Sequence, residues 1–185
     1  VQGEVFDYPE EFFKEKVHTI RRPRPDDFQI KQAVETIKKS KNPIIISGGG
    51  VFYSDAMKEL SEFAKKHNIP TAQTVMGYST MKKDDPYFLG AIGGFGGKAT
   101  NNFMKKTDLA IAVGTKLADF TTGSWSNFEN PNFKLVSINV SRFDANKHMA
   151  ESVVGDAKVS LLDISNALGN WKAPNDWYKK SREAL

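Results

Sequence analysis

The 185-residue chain contains no cysteine. Disulfides, thiolate catalysis and cysteine metal sites are therefore excluded, and the composition fits a cytoplasmic protein. No apolar run approaches the roughly 20 residues of a membrane span. No signal-peptide pattern is present either, so no membrane partner is expected. Histidine is scarce: His18, His67 and His148 are dispersed, without metal-ligand spacing. His67 falls on the apolar stripe of a helix-like segment and reads as a packed or capping residue. The many serines lack a G-x-S-x-G elbow, so none has a nucleophile context. Low-complexity tracts and internal repeats are absent. Charge of one sign is lacking too: 26 Lys and Arg are interspersed with 22 Asp and Glu, for a net charge of +4. That mixture does not point to a nucleic-acid partner. The one dense basic cluster, Arg21-Arg22-Pro23-Arg24-Pro25, holds two prolines and no neighbouring aromatic. It reads as a stiff, extended segment.

What the chain does have is a repeated strand signature. Leu109 to Val113 is an unbroken apolar run that stops at Gly114-Thr115. Without alternation, such a run suits a strand buried on both faces, as in parallel sheets covered by helices. Pro43 to Gly50 and Lys134 to Ser141 share the design. Helix-like segments lie between the runs. Ile30, Ala33, Val34 and Ile37 recur at helical spacing over 28–39, with Asp26 and Asp27 available as caps. Ala56, Leu60, Phe63, Ala64 and His67 form a stripe over 54–67, with Ser54 as its expected cap. Leu161, Leu162, Ser165 and Leu168 repeat the pattern over 157–168 behind Asp156. This alternation predicts an α/β domain with a doubly wound parallel sheet and helices on both faces. The length suits one domain. The first 25 residues show little core-building pattern beyond Phe12-Phe13. The chain starts at Val1 and stops within a helical pattern over 177–185, so an excised piece of a longer polypeptide is expected.

In such sheets, ligands sit beyond the carboxyl ends of the strands. Gly48-Gly49-Gly50 lies between a strand and a helix, where backbone N–H groups can hold a phosphate. The same glycines also suit a tight strand-to-helix turn, and both readings stand. Gly94-Phe95-Gly96-Gly97-Lys98-Ala99 fits G-x-G-x-x-A, and Asp119 follows roughly 20 residues on. A dinucleotide fingerprint belongs in the first strand-turn-helix unit, however, and this one comes third. An independent NAD-binding protein is thereby disfavoured. Asp84-Asp85 precedes Pro86 and reads as turn chemistry. Gly155-Asp156-Ala157 resembles the start of a diphosphate and Mg²⁺ motif, but it lacks the second glycine and the downstream Asn. Helix capping explains Asp156 better. The residues alone supply no catalytic centre and no metal site.

The order Pro43–Gly50, Ile69-Pro70-Thr71, Asp85-Pro86, Gly90 with Gly93–Gly97, Asp108–Asp119, Ile138–Ser141 and Val154–Ala157 resembles the central domain of thiamine diphosphate-dependent enzymes. The resemblance covers about residues 26–170. It implies a Rossmann-like, six-stranded, mostly parallel sheet. Residues 1–25 would then be an extended interdomain linker, and 171–185 the start of a linker to a further domain. Tyr8-Pro9 with Arg21–Pro25, Asp119–Gly123 and Asn139–Phe143 are similar to the branch of hydrolases that opens a cyclic dione in bacterial inositol breakdown.

That resemblance implies thiamine diphosphate and Mg²⁺ in the full-length parent, held by outer domains and not by this one. It implies partners in the N- and C-terminal domains of the same polypeptide, a homo-oligomeric parent, and an isolated chain without activity. Some relatives hold FAD across this sheet. The matching positions are Gly48, Gly49, Gly50, the 93–97 loop, Gly114, Thr115, Lys116, Asn139 and Ser141. Two departures argue against FAD. Flavin-binding relatives carry Arg at the position of Lys116, and a planar guanidinium grips a diphosphate better. They also carry an acidic pair where this chain has Asn139 and Ser141. The resemblance thus implies a vestigial nucleotide cleft. The alternative is a working FAD- or ADP-binding domain of an acetohydroxyacid synthase-like enzyme.

Overall fold

The computed structural model describes Val5 and residues 7–185. The part of the 1–25 linker expectation that falls on residues 1–4 and 6, including the start at Val1, lies outside the described residues. The strand runs end where the sequence places them. β1 is Pro43–Ser47 and β4 is Leu109–Val113, and every residue of both is buried. With β2 (Thr71–Gln73), β3 (Phe88–Ala91), β5 (Lys134–Asn139) and β6 (Glu151–Val154) they form one sheet. Its order is β3-β2-β1-β4-β5-β6, and every pairing is parallel. The order reverses between β1 and β4. The carboxyl ends of these two strands therefore diverge into a crevice, the topological switch point of a doubly wound sheet.

The connections are helices: α1 (Asp27–Lys39), α2 (Gly49–Tyr53), α3 (Met57–His67), α4 (Lys98–Met104), α5 (Asp119–Thr122), α6 (Arg142–Ala145), α7 (Ala157–Leu168) and α8 (Asn175–Glu183). Alternate strand residues feed two separate cores. Ile45, Ile111, Val113, Val136 and Ile138 pack with α1, α3 and α7 on one face. Ile44, Ile46, Ala110 and Ala112 pack with Phe103, Met104 and Trp177 on the other. Small Ala110 and Ala112 leave room for the aromatic pair Phe103–Trp177, stacked 4.2 Å apart. Trp177 also donates Nε1–H to the Pro43 carbonyl at 2.7 Å, which ties α8 to the start of β1. Each fully buried Leu or Ile contributes about 1.5–3 kcal/mol relative to exposure.

Caps follow residue chemistry. Asp26 accepts from Gln29 N–H and starts α1. Asp156 accepts from Lys158 and Val159 N–H and starts α7. Three sequence expectations are corrected. The helix expected over 54–67 behind Ser54 is split. Ser54 closes α2 instead, Asp55 takes φ +51°, and α3 begins at Met57 with Ala56 before it. A left-handed residue cannot continue a right-handed helix. On α7 the buried stripe is Leu161, Ile164 and Leu168, whereas Leu162 faces solvent and Ser165 is half-buried. The 3.6-residue repeat leaves position 162 off the stripe. Phe12 and Phe13 are likewise exposed rather than core-building.

His67 is wholly buried between α3 and α7, with its ring centroid 4.8 Å from that of Phe63. The Trp171 carbonyl lies 2.8 Å from Nδ1 and can only accept, so Nδ1 carries the proton. Nε2 then accepts from Ser165 Oγ at 3.0 Å. This arrangement suits the neutral ring, and burial pushes the imidazole pKa down.

The proline-arginine cluster forms an extended strap over the start of α7. Pro23 O accepts from Asp156 N–H at 2.8 Å, and Pro25 is buried against Gly155. Arg22 donates to the Ser54 carbonyl and pairs with Asp156 Oδ2 at 3.0 Å. One guanidinium thus joins the strap, the end of α2 and the cap of α7.

Two outcomes are expected. A neutral buried His67 binds its proton only below its ordinary pKa near 6.5, while the unfolded chain protonates there. Its contribution is therefore complete above about pH 6.5 and is lost as the pH falls below that value. His67→Gln should flatten this loss in urea melts taken at a series of pH values. Arg22→Ala leaves a nearly buried carboxylate without its cation and should cost about 1–2 kcal/mol by urea unfolding.

Candidate functional site

The crevice at the carboxyl ends of β1, β4 and β5 is the one place where the sequence-selected residues converge. A cavity of about 660 Å³ is lined by Gly49, Gly50, Gly114, Thr115, Lys116, Asn139 and Ser141. The same cavity is bounded by Tyr53, Met76, Phe120 and Val140. A second cavity of about 430 Å³ shares Gly50, Gly114 and Asn139 and runs under Ile20, Arg21 and Pro23 of the strap. Gly48 lines neither cavity. It lies underneath, where a Cβ would sit 2.4 Å from the Gly114 carbonyl oxygen.

The glycines permit one backbone to cross another. The turn from β1 into α2 passes directly over the turn leaving β4. A Cβ on Gly50 would lie 2.6 Å from Gly114 Cα, and Gly114 itself sits at φ +60°. Only glycine fits that contact and that conformation without strain. The contact also uses the local hydrogen-bond donors. Gly48 N–H donates to the Val113 carbonyl at 2.9 Å and Gly50 N–H to the Gly114 carbonyl at 2.9 Å. Gly114 N–H donates to the Ile138 carbonyl at 2.8 Å. Of the triplet, only Gly49 N–H is without a backbone acceptor among the described residues. It opens a five-residue helix.

The polar side chains of the crevice are engaged in the same way. Asn139 Nδ2–H donates to the Thr115 carbonyl at 3.2 Å, and its Oδ1 accepts from Ser141 N–H at 2.9 Å. It therefore ties the β4 turn to the β5 turn. Ser141 Oγ caps α6 by accepting from Asp144 N–H, and Thr115 Oγ1 accepts from Leu117 N–H. Lys116 is exposed.

The other charged group on the larger cavity is Asp144, which sequence reasoning passed over. Its signal was present, because Ser141-Arg142-Phe143-Asp144 has the S-x-x-D spacing of a capped helix start. The Lys147 ammonium, hydrogen-bonded at 2.7 Å, holds the Asp144 carboxyl below its ordinary pKa against the opposing effect of partial burial. Ser141 and Lys116 act in the same direction. No histidine, cysteine or glutamate lines this cavity, and its one carboxylate, Asp144, is held by Lys147 and Ser141.

The remaining candidates do not line the larger cavity. The Gly93–Gly97 loop follows the edge strand β3 and packs on α5, where a Cβ on Gly94 would lie 2.5 Å from the Phe120 ring. There Gly93 N–H donates to Asn101 Oδ1. Asp119 opens α5. Asp85 accepts from Tyr87 N–H and Ser61 Oγ–H, as turn chemistry requires. Asp156 is 5% exposed and is divided between the α7 cap and Arg22. Among the described residues no three His, Cys, Asp or Glu side chains form a group able to hold a metal ion, and no helix is long and apolar enough to cross a membrane.

The strand order and the crevice define a Rossmann-like domain whose switch point is built from glycine crossings. Residues 30–164 match the family model described as thiamine pyrophosphate enzyme, central domain, and the chain belongs to that family. Among curated relatives it is 45% identical over 168 residues to a 3D-(3,5/4)-trihydroxycyclohexane-1,2-dione hydrolase from Clostridium perfringens. That match covers 91% of this chain and 26% of the relative. It is 46% identical to the protein of that name from Clostridium botulinum, covering 93% of this chain and 28% of the relative. The Clostridium tetani protein of that name is 44% identical, with 97% and 30% covered. The chain thus spans about a quarter to a third of the length of these relatives.

Replacing Gly114 by Ala adds a Cβ at φ +60° inside a backbone contact. It should destabilise the domain by at least about 2 kcal/mol in urea unfolding. Gly97→Ala is the control, because its Cβ would meet nothing closer than 3.9 Å.

Proposed function

We propose that this chain is the non-catalytic central domain of a thiamine diphosphate-dependent hydrolase that opens the ring of trihydroxycyclohexane-1,2-dione in myo-inositol degradation. The carrying observation is identity of about 45% to hydrolases of that name over more than nine-tenths of the chain. The other domains of the same polypeptide would hold thiamine diphosphate and Mg²⁺, and the assembled parent would be a cytoplasmic homo-oligomer. When bound there, the cofactor supplies the carbon–carbon chemistry. This chain's part is to fix the spacing of the domains on either side of it. Its two cores and the Arg22 strap give it the rigidity for that role.

The residues of the crevice do not fit a diphosphate. Gly48 and Gly50 N–H already have carbonyl acceptors, and Asn139 and Ser141 brace the turns. No step of the reaction is therefore assigned to this cleft, which is read as a vestigial nucleotide site. The reading that competes with this one is a nucleotide-binding domain like that of acetohydroxyacid synthase. It is favoured only by the volume of the cavity at the switch point.

Thermal-shift titrations with FAD, ADP, NAD and thiamine diphosphate separate the two. None should raise the melting temperature. A ligand at 100-fold its Kd would add about 2.7 kcal/mol, and a rise with FAD or ADP would establish the nucleotide-binding reading instead.

A further inference from the structure

Large apolar side chains are exposed at one end of the sheet. Tyr53, Met76, Phe120 and Val140 are 76%, 71%, 55% and 60% exposed, and all four border the same cavity. They come from four separate segments, following β1, β2, β4 and β5. Phe143 on α6 and Phe95 beside Phe120 extend the patch. At the opposite end, the loops entering the strands expose only Met149 among the described large apolar residues. This asymmetry is not what scattered surface hydrophobes give, and a contiguous patch of this kind marks an interaction surface.

We infer that the carboxyl edge of the sheet is a docking face for a further domain of the same polypeptide. Two observations identify the occupant. The relatives are three to four times longer than this chain, so most of their mass lies outside it. The strap also runs over this edge, with Ile20, Arg21 and Pro23 roofing the cavity next to Gly50 and Gly114. Ahead of it, Phe12, Phe13 and Val17 are exposed as well. The polypeptide therefore enters the fold at the face that lacks cover, trailing apolar side chains of its own. Its charged groups are Lys116 and the Asp144–Lys147 pair, set at the margin of the apolar side chains.

The inference rests on the reading of the chain as one domain of a larger enzyme, and it can fail independently of that enzyme's activity. The chain has no cysteine, so single substitutions report without background from this domain. Met76→Cys and Val140→Cys are made in the 185-residue chain and in the longer polypeptide that contains it, with Lys31→Cys on the exposed side of α1 as control. Thiol-labelling rates are measured with a maleimide, and the unsubstituted longer polypeptide corrects for its other cysteines. At positions 76 and 140, labelling should be at least tenfold slower in the longer polypeptide, with the control unchanged.

Equal rates in the two proteins overturn the proposal, as does equal slowing at the control. Slowing in the 185-residue chain that grows with protein concentration overturns it in favour of a second copy. Slowing by added ADP or FAD overturns it in favour of a small ligand. Protection without ring-opening activity in the longer polypeptide would leave the docking face standing and reject the assigned reaction.

Discussion

The structure depends on a backbone crossing. The turn out of β1 lies directly on the turn out of β4, and the side chains there have been reduced to hydrogen. Across that contact Gly48 and Gly50 N–H donate to the Val113 and Gly114 carbonyls, while Gly114 N–H donates onward to the Ile138 carbonyl of β5. Parallel strands buried on both faces need their ends closed without exposing unpaired backbone, and this crossing does so at the point where the strand order reverses. The rest of the carboxyl edge is arranged around it. Asn139 braces the β4 turn to the β5 turn, Ser141 and Asp156 start the next helices, and Arg22 fastens the strap over the last of them.

The same contact decides what the crevice can do. A glycine-rich strand-to-helix turn binds phosphate when its N–H groups point outward, free of acceptors. Here the acceptors are the neighbouring strand's own carbonyls. Glycine at these positions therefore serves packing as much as it could serve a ligand. Membership of the thiamine pyrophosphate enzyme central-domain family sets the frame for the larger enzyme. Within that frame, this domain's polar groups are turned inward and its apolar groups outward at the edge of the sheet.

Much of the fold was legible. Apolar runs without alternation marked β1, β4 and β5, and acids before periodic segments marked the starts of α1 and α7. Both signals are local, so the sequence carries them plainly. The misses have a common cause in tertiary geometry. Nothing local foretold that Asp55 would take a left-handed conformation and divide α2 from α3. Leu162 is as apolar as Leu161, and only the position of the sheet decides which of them is buried. The candidate site was legible as a place, because strand ends at a switch point are readable from alternation. Its chemistry was less so. Whether Gly48 and Gly50 offer free donors depends on carbonyls more than sixty positions away, at Val113 and Gly114. Arg22 and Asp156 pair across 134 positions, which neither motif reveals.

Amide hydrogen exchange on the ¹⁵N-labelled chain tests the central constraint most directly. Gly48, Gly50 and Gly114 N–H should be protected close to the level of the β1 and β4 core amides, while Gly49 exchanges far faster. Adding excess ADP or FAD should leave all four unchanged. Fast exchange at Gly48 and Gly50, slowed by either nucleotide, would mean that the donors are free and that the crevice is a working phosphate cradle.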